Sequence, residues 1–132
     1  MVKNMLIKFL SYYIPMQTVS EANSKDHWAV KNRRHKRQQF WVKLYFKKCK
    51  EPIELPCLVK LTRIGKRRMD SDNLQMALKW VRDAVADCII PGKKAGRADD
   101  SPQIRWKYDQ EIGKEYAVLV EIFYPRLGEI FI

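Results

Sequence analysis

Two aspartates separated by a single residue stand in the middle of the sequence, in the stretch Arg-Met-Asp-Ser-Asp-Asn-Leu at residues 68–74. Lys79 follows Asp72 by seven positions, and a second acidic pair, Asp99 and Asp100, follows further on. Mg²⁺ prefers such carboxylate oxygens and needs only a few of them, because water and phosphate complete its coordination. Acids and a lysine in this order predict metal-assisted cleavage of a phosphodiester.

Asp70 and Asp72 stand where a predicted strand passes into a predicted helix. In extended backbone, residues i and i+2 project from the same face about 7 Å apart, so both carboxylates can converge on one cation. The alternative is a purely local role, with Asp72 as the N-cap of the helix and Asp70 as a turn residue.

The second acidic pair precedes a predicted strand that begins near Gln103. We expect this strand to return beside the one that leads to Asp70, so that the pair reaches the same end of the sheet, where ligands of crossover sheets collect. An acidic pair in a loop ahead of Pro102 is the alternative.

Lys79 lies nearly in line with Asp72 on the predicted helix, roughly 10 Å further along its axis. A lysine side chain that points back toward the helix N-terminus can cover much of that gap. Its charge could then stabilise the charge that develops on phosphate during cleavage. The alternative is an ordinary ion pair with Asp83, one turn later.

The chain as a whole is strongly basic. Its 26 Lys and Arg exceed its 15 Asp and Glu, which gives a net charge of +11 and a pI of about 9.7. A polyanion is the expected partner. The candidate DNA-binding residues are Lys31, Arg33, Arg34, Lys36 and Arg37 on a predicted helix, with Lys93, Lys94 and Arg97 on a glycine-containing loop. Because the helical run cannot all face one side, it favours contacts with phosphates over reading of bases; a solvated helix face is the alternative.

A length of 132 residues predicts a single domain, residues 1–132, whose core needs neither disulfides nor structural zinc. Cys49, Cys57 and Cys88 lack metal-ligand spacing, which favours a reducing cytoplasm. Lys8 interrupts the apolar run at residues 5–14, and no signal-peptide cleavage pattern follows it. Since nothing approaches the ~20 apolar residues of a membrane span, we expect a cytoplasmic protein with no membrane partner.

Periodicity predicts an α+β domain with a mixed β-sheet and two main helices. The strands are predicted at residues 5–14, 55–64, 103–108 and 116–124. The last two are expected to form a hairpin about residues 111–114. One helix is predicted over residues 27–50 with Asp26 as its N-cap, and a second over residues 73–90. The apolar positions of the second helix share one arc of about 140°, which leaves Asp72, Met76, Lys79 and Asp83 on the opposite side.

This order of motifs resembles the RusA-type Holliday junction resolvases and related phage endonucleases. The likeness covers residues 55–124 and consists of Asp70-x-Asp72-Asn73-Leu74, then Lys79-x-x-x-Asp83-Ala84, then Asp99-Asp100 before a strand. The sequence departs from the family at the lysine. Met76 stands four residues after the second acid, so Lys79 aligns only through a one-turn insertion. The loop at residues 91–98 is also longer than the family connection.

The resemblance implies a RusA-like fold and a Mg²⁺-dependent endodeoxyribonuclease that resolves Holliday junctions by paired nicking. It implies a homodimer that acts on branched DNA in a bacterial or phage-infected cell. Asp70, Asp72 and Asp100 would bind Mg²⁺, and together with Lys79 they are the predicted catalytic residues. The main alternative is a non-catalytic basic nucleic-acid-binding protein in which the acids only cap and turn; a phage assembly protein is a third class.

Overall fold

The computed structural model describes residues 6–20, 24–49, 52–92 and 98–125. The elements are β1 (Leu6–Ile14), α1 (Trp28–Phe46), β2 (Cys57–Gly65), α2 (Ser71–Ile89), a short 3-10 helix (Ala98–Asp100), β3 (Ile104–Ile112) and β4 (Ala117–Pro125). The predicted α+β fold, with two main helices and a mixed sheet, is confirmed. Within these ranges, no helix has the length and apolar character needed to cross a membrane.

The sheet has the strand order β1-β4-β2-β3. β4 lies antiparallel between β1 and β2, whereas β3 runs parallel to β2 at the edge, with Cys57 beside Ile104 and Gly65 beside Ile112. The predicted β3–β4 hairpin is therefore wrong, because β2 separates the two strands. A parallel pair requires a crossover connection, and α2 supplies it.

The core lies between one face of the sheet and the two helices. The predicted apolar arc of α2 is buried, and Leu78, Val81 and Val85 are fully inaccessible. They pack in one cluster with Leu61 of β2 and Val120 of β4. Each such side chain contributes roughly 1.5–3 kcal/mol by leaving water. This packing holds α2 against the sheet and turns its polar side outward.

The helix ends differ from the predicted ones. α1 begins after His27, whose Nδ1 accepts a hydrogen bond from the Ala29 N–H at 3.2 Å. The predicted cap, Asp26, instead forms an ion pair with Arg34 at 3.1 Å. An imidazole nitrogen can accept a backbone N–H as a carboxylate does, so the local signal did not separate the two residues.

The two helices contact each other through a ring stack. His35 of α1 lies parallel to Trp80 of α2, with ring centroids 4.4 Å apart and an interplanar angle of 15°. Both side chains are partly buried. This contact sets how the basic helix lies beside the helix that carries the acids.

Candidate active site

Side chains from β2 and β3 hold the short loop that precedes α2. The Arg63 guanidinium donates a hydrogen bond to the Arg67 carbonyl at 2.8 Å. The Gln110 amide brackets Met69, donating to its carbonyl at 2.7 Å and accepting from its N–H at 2.9 Å. These contacts position the start of α2, and with it the Asp-x-Asp-Asn motif.

Asp70 is the N-cap of α2. Its carboxylate accepts a hydrogen bond from the Asn73 N–H at 2.9 Å. The local alternative was thus right in kind but assigned the cap to Asp72, which lies in the first helical turn and is exposed. Asn73 accepts a hydrogen bond from the Ser20 hydroxyl at 2.6 Å, which joins the helix start to the segment after β1.

The second acidic pair lies against the middle of α2. Because β3 is parallel to β2, the chain enters β3 at the end of the sheet opposite to the one where it leaves β2. The expectation that Asp100 reaches the Asp70 end is therefore wrong. The Asp99 carbonyl accepts from Trp106 Nε1 at 3.3 Å and from Arg82 Nη2 at 3.2 Å, which draws this residue onto α2.

The predicted metal ligands do not gather into one cluster. Asp70, Asp72 and Asp100 are all exposed. In the ranges that the structure describes, no group of three or more Asp, Glu, His or Cys side chains could hold a metal ion. Along α2, Asp72 lies about 16 Å from Asp83 by helical rise.

A groove runs between α2 and the edge strand β3, formed by two depressions that share Gln75 and Tyr108. The first, about 440 Å³, is also lined by Arg68, Met69, Ser71, Leu74, Asp109 and Gln110. The second, about 300 Å³, is also lined by Met76, Lys79, Arg82 and Asp99. We call the two together the α2–β3 groove. The predicted polar side of α2 thus faces this groove at Met76 and Lys79.

Arg82 contacts several neighbouring side chains in the second depression of the α2–β3 groove. Its Nη1 donates to the Tyr108 hydroxyl at 2.6 Å, and its guanidinium lies 4.7 Å from the centre of the Trp106 ring. Its Nε approaches the Asp99 carboxylate to 3.3 Å as an ion pair, although the angle does not make a hydrogen bond. The sequence analysis assigned no role to Arg82, Trp106 or Tyr108. The alternation of Trp106, Tyr108 and Gln110 along β3 could have indicated that these three side chains share one face of the strand.

Two carboxyl groups meet beside the lysine. Burial, the negative charge of Asp99 and a hydrogen bond with its carboxyl raise the pKa of Asp83 to about 6, while the Lys79 ammonium opposes the shift. Lys79 and Asp83, both described, do not form the ion pair that was the alternative for this lysine. The structure therefore brings together Lys79, Asp83 and Asp99, and not the acids of the Asp-x-Asp motif.

Asp83→Asn is expected to stabilise the protein above pH 6. A folded-state pKa of about 6 against 3.8 unfolded means that the folded state binds the proton more tightly. The wild type therefore loses stability as the pH rises from about 4 through about 6. With solvent screening the loss is about 1–2 kcal/mol. Thermal melts in EDTA from pH 4 to 8 should show this fall in wild type and in Asp87→Asn, and little of it in Asp83→Asn. An equal fall in all three would contradict the assignment.

The predicted DNA-binding residues divide between described and undescribed parts. Lys93, Lys94 and Arg97 lie outside the described residues. On α1, Arg33, Lys36 and Arg37 are exposed, whereas Lys31 and Arg34 are partly buried. Arg34 is the member that pairs with Asp26. The exposed cations stand three and four residues apart and therefore share one side of the helix, while the partly buried Lys31 and Arg34 lie away from its centre.

The fold and the groove define the class as a small basic α+β domain, with a groove along a parallel edge strand that is lined by both acidic and basic side chains. No family model matches the chain, and it shows no significant match to a curated protein or a solved structure. The RusA-type resemblance rests on its motif residues alone.

Proposed function

We propose that this chain is a Mg²⁺-dependent endodeoxyribonuclease that cuts branched DNA, four-way junctions above all, with the α2–β3 groove as its active site. One observation carries the proposal. In a chain with a net charge of +11, Asp99 lines an open groove together with Lys79, and the Asp83 carboxyl group lies close enough for the charge of Asp99 to add to the rise in pKa that burial causes. Like charges held together favour the binding of a cation between them.

The donor set fits Mg²⁺. That ion is commonly held by one or two carboxylates, with water and substrate phosphate in the remaining positions. Asp99 and Asp83 meet this requirement, and Asp100 follows Asp99 directly. Asp72, about 16 Å from Asp83 along α2, cannot reach the same ion and would belong to a second one at the start of the helix. Asp70 would have to serve as a ligand through the oxygen that its cap does not use. A bound Mg²⁺ would supply an activated water and neutralise phosphate charge.

The residues of the chain have separate tasks in this proposal. Arg68 and Lys79, at the two ends of the groove, hold phosphates of the strand to be cut. The Lys79 ammonium donates hydrogen bonds to the phosphoryl oxygens whose charge grows during cleavage. Arg82 keeps the Asp99 carboxylate in place. Two symmetric nicks require two such grooves, and we therefore propose a homodimer. The proposed location is the cytoplasm of a bacterial or phage-infected cell, where the DNA lies.

A non-catalytic DNA-binding protein is the competing function. The cap formed by Asp70 and the ion pair formed by Asp99 favour it, because each gives an acid a structural task. Cleavage of a labelled synthetic four-way junction, compared with linear duplex and flap controls, distinguishes the two. We expect junction cleavage with millimolar Mg²⁺ and none in EDTA. Binding without any cleavage would instead support the competing function, and Asp99→Asn protein purified in parallel excludes a contaminating nuclease.

The exposed cations of α1 are expected to contact phosphates. Replacing Arg33, Lys36 and Arg37 together with Gln should weaken binding to every DNA shape. It should also flatten the slope of log K against log salt by up to about 0.9 for each lost contact. The matched control replaces Lys43, Lys47 and Lys48 at the other end of α1, which removes the same charge. If both triple variants change the slope equally, the effect belongs to net charge and not to this part of the helix.

A further inference from the structure

A cleft of about 350 Å³ lies between α1 and the segment that follows β1. Pro15, Met16, Gln17 and Val19 form one side of it, and Val30, Arg33, Arg34, Arg37, Gln38 and Trp41 form the other. The helical residues recur at intervals of three and four, so they share one face of α1. Three arginines of the basic helix thus line the same cleft as an aromatic side chain.

Gln38 has an unmet hydrogen-bonding need in this cleft. It is only 2% exposed, and its Nε2 lies 3.5 Å from the Gln17 carbonyl. That carbonyl can only accept, which fixes which way the amide is turned. The buried Oε1 has no donor among the described residues. Since a buried acceptor without a partner is costly and Gln38 lines the cleft, a ligand that brings an N–H donor to this oxygen would remove that cost.

The residues of the cleft therefore favour a ligand with three chemical groups. The exposed Arg33 and Arg37 favour an anion, while Arg34 is already paired with Asp26. Gln38 requires an N–H donor. The ring of Trp41 favours a flat apolar body. A nucleotide has all three groups: a phosphate for the arginines, N–H groups on its base for Gln38, and the flat face of that base for Trp41.

We infer that this cleft binds one nucleotide of a DNA strand whose base is unpaired, with the base at Trp41 and Gln38 and the phosphate at Arg33 and Arg37. The inference rests on the proposed function in taking DNA as the ligand, but it requires no cleavage. Extruding a base costs least where the base is already unpaired. The cleft would therefore direct the protein to branch points and bulges in preference to regular duplex.

Equilibrium binding in EDTA tests this inference without any nuclease activity. The probes are a duplex with one bulged nucleotide, the same duplex with an abasic bulge, the fully paired duplex and a free deoxynucleoside monophosphate. Because stacking of one base on an aromatic side chain commonly changes affinity by tenfold or so, we expect wild type to prefer the base-containing bulge to the abasic one by roughly tenfold. Equal affinity for the two bulges would overturn the inference, whether or not the protein cleaves junctions.

Four variants locate the effect. Gln38→Leu, which replaces a buried amide by an apolar group of similar size, and Trp41→Leu should lose the preference while binding paired duplex as wild type does. Arg37→Gln and Lys36→Gln each remove one α1 cation, but only Arg37 lines the cleft. Of these two variants, only Arg37→Gln should lower the preference for the base-containing bulge. A preference kept by Gln38→Leu and Trp41→Leu would place base binding elsewhere, and monophosphate binding as tight as that of bulged DNA would overturn DNA as the ligand.

Discussion

Asp72→Asn is expected to bind a four-way junction as tightly as wild type, or more tightly, and to cleave it at least about a hundredfold more slowly, a loss typical when one charged contact to a transition state is removed. The change replaces a carboxylate by an amide of nearly equal shape on the exposed first turn of α2. Repulsion of DNA phosphate falls, and a carboxylate that the family resemblance implies to be a Mg²⁺ ligand is lost. Because Asp72 lies about 16 Å from Asp83 along α2, the variant tests an ion at the start of the helix, separate from the one proposed at Asp83 and Asp99. Single-turnover cleavage and a binding titration in EDTA measure the two effects separately.

The same measurements decide which acid of the second pair acts. The family resemblance implies Asp100, whereas the structure places Asp99 in the α2–β3 groove. Asp99→Asn and Asp100→Asn should therefore be compared directly, and the ligand is the residue whose loss reduces cleavage. Asp109→Asn is the matched control, since it also removes one carboxylate from the groove, one that pairs with Lys60 at 3.5 Å. Full activity in Asp72→Asn, Asp83→Asn, Asp99→Asn and Asp100→Asn alike would refute an acid-bound metal.

Asp70 requires two substitutions because it already has a structural task. Asn caps helices about as well as Asp, whereas Ala in that position costs about 0.5–2 kcal/mol. Asp70→Asn should therefore keep the melting temperature and lose cleavage if this carboxylate binds the metal. If Asp70 acts only as a cap, Asp70→Asn should behave as wild type and only Asp70→Ala should lower stability.

Lys79→Ala is expected to bind junctions normally and to cleave them roughly a hundredfold more slowly, because its ammonium acts on charge that grows in the transition state. Such a loss lowers kcat and kcat/KM alike. The side chain lines the groove beside Asp99, and it is exposed, so its removal should not disturb the fold. Steady-state kinetics on a fluorescent junction measure both constants.

A second-site change sharpens the test of Lys79. Met76 lines the same groove one turn nearer the start of α2 and is 43% exposed, so Met76→Lys adds an ammonium there without burying it. In the Lys79→Ala background it should partly restore turnover, while Gln75→Lys is the control with the same added charge. Cleavage at the wild-type rate by Lys79→Ala would show that this lysine is dispensable.

The sequence by itself determined the elements of this fold and the place of its first motif. Runs of apolar and β-prone residues, in part alternating with polar ones, predicted four strands, and the apolar arc of α2 predicted the side that is buried. These patterns are readable because each reflects the contact of one element with the core, a property local to a few turns or residues. The Asp-x-Asp motif was likewise correctly placed at the junction of β2 and α2.

Tertiary structure alone decided how those elements combine and which acids meet. The alternation of Trp106, Tyr108 and Gln110 suits a hairpin strand and a parallel edge strand equally, since both present one face to a core. Packing of these side chains on α2 selects the parallel pairing with β2. That pairing carries Asp99 to the middle of α2, beside Asp83 and away from Asp70. Pairing energies between distant strands and helices depend on contacts across the whole domain. A local sequence pattern therefore cannot predict which strands pair or which acids meet.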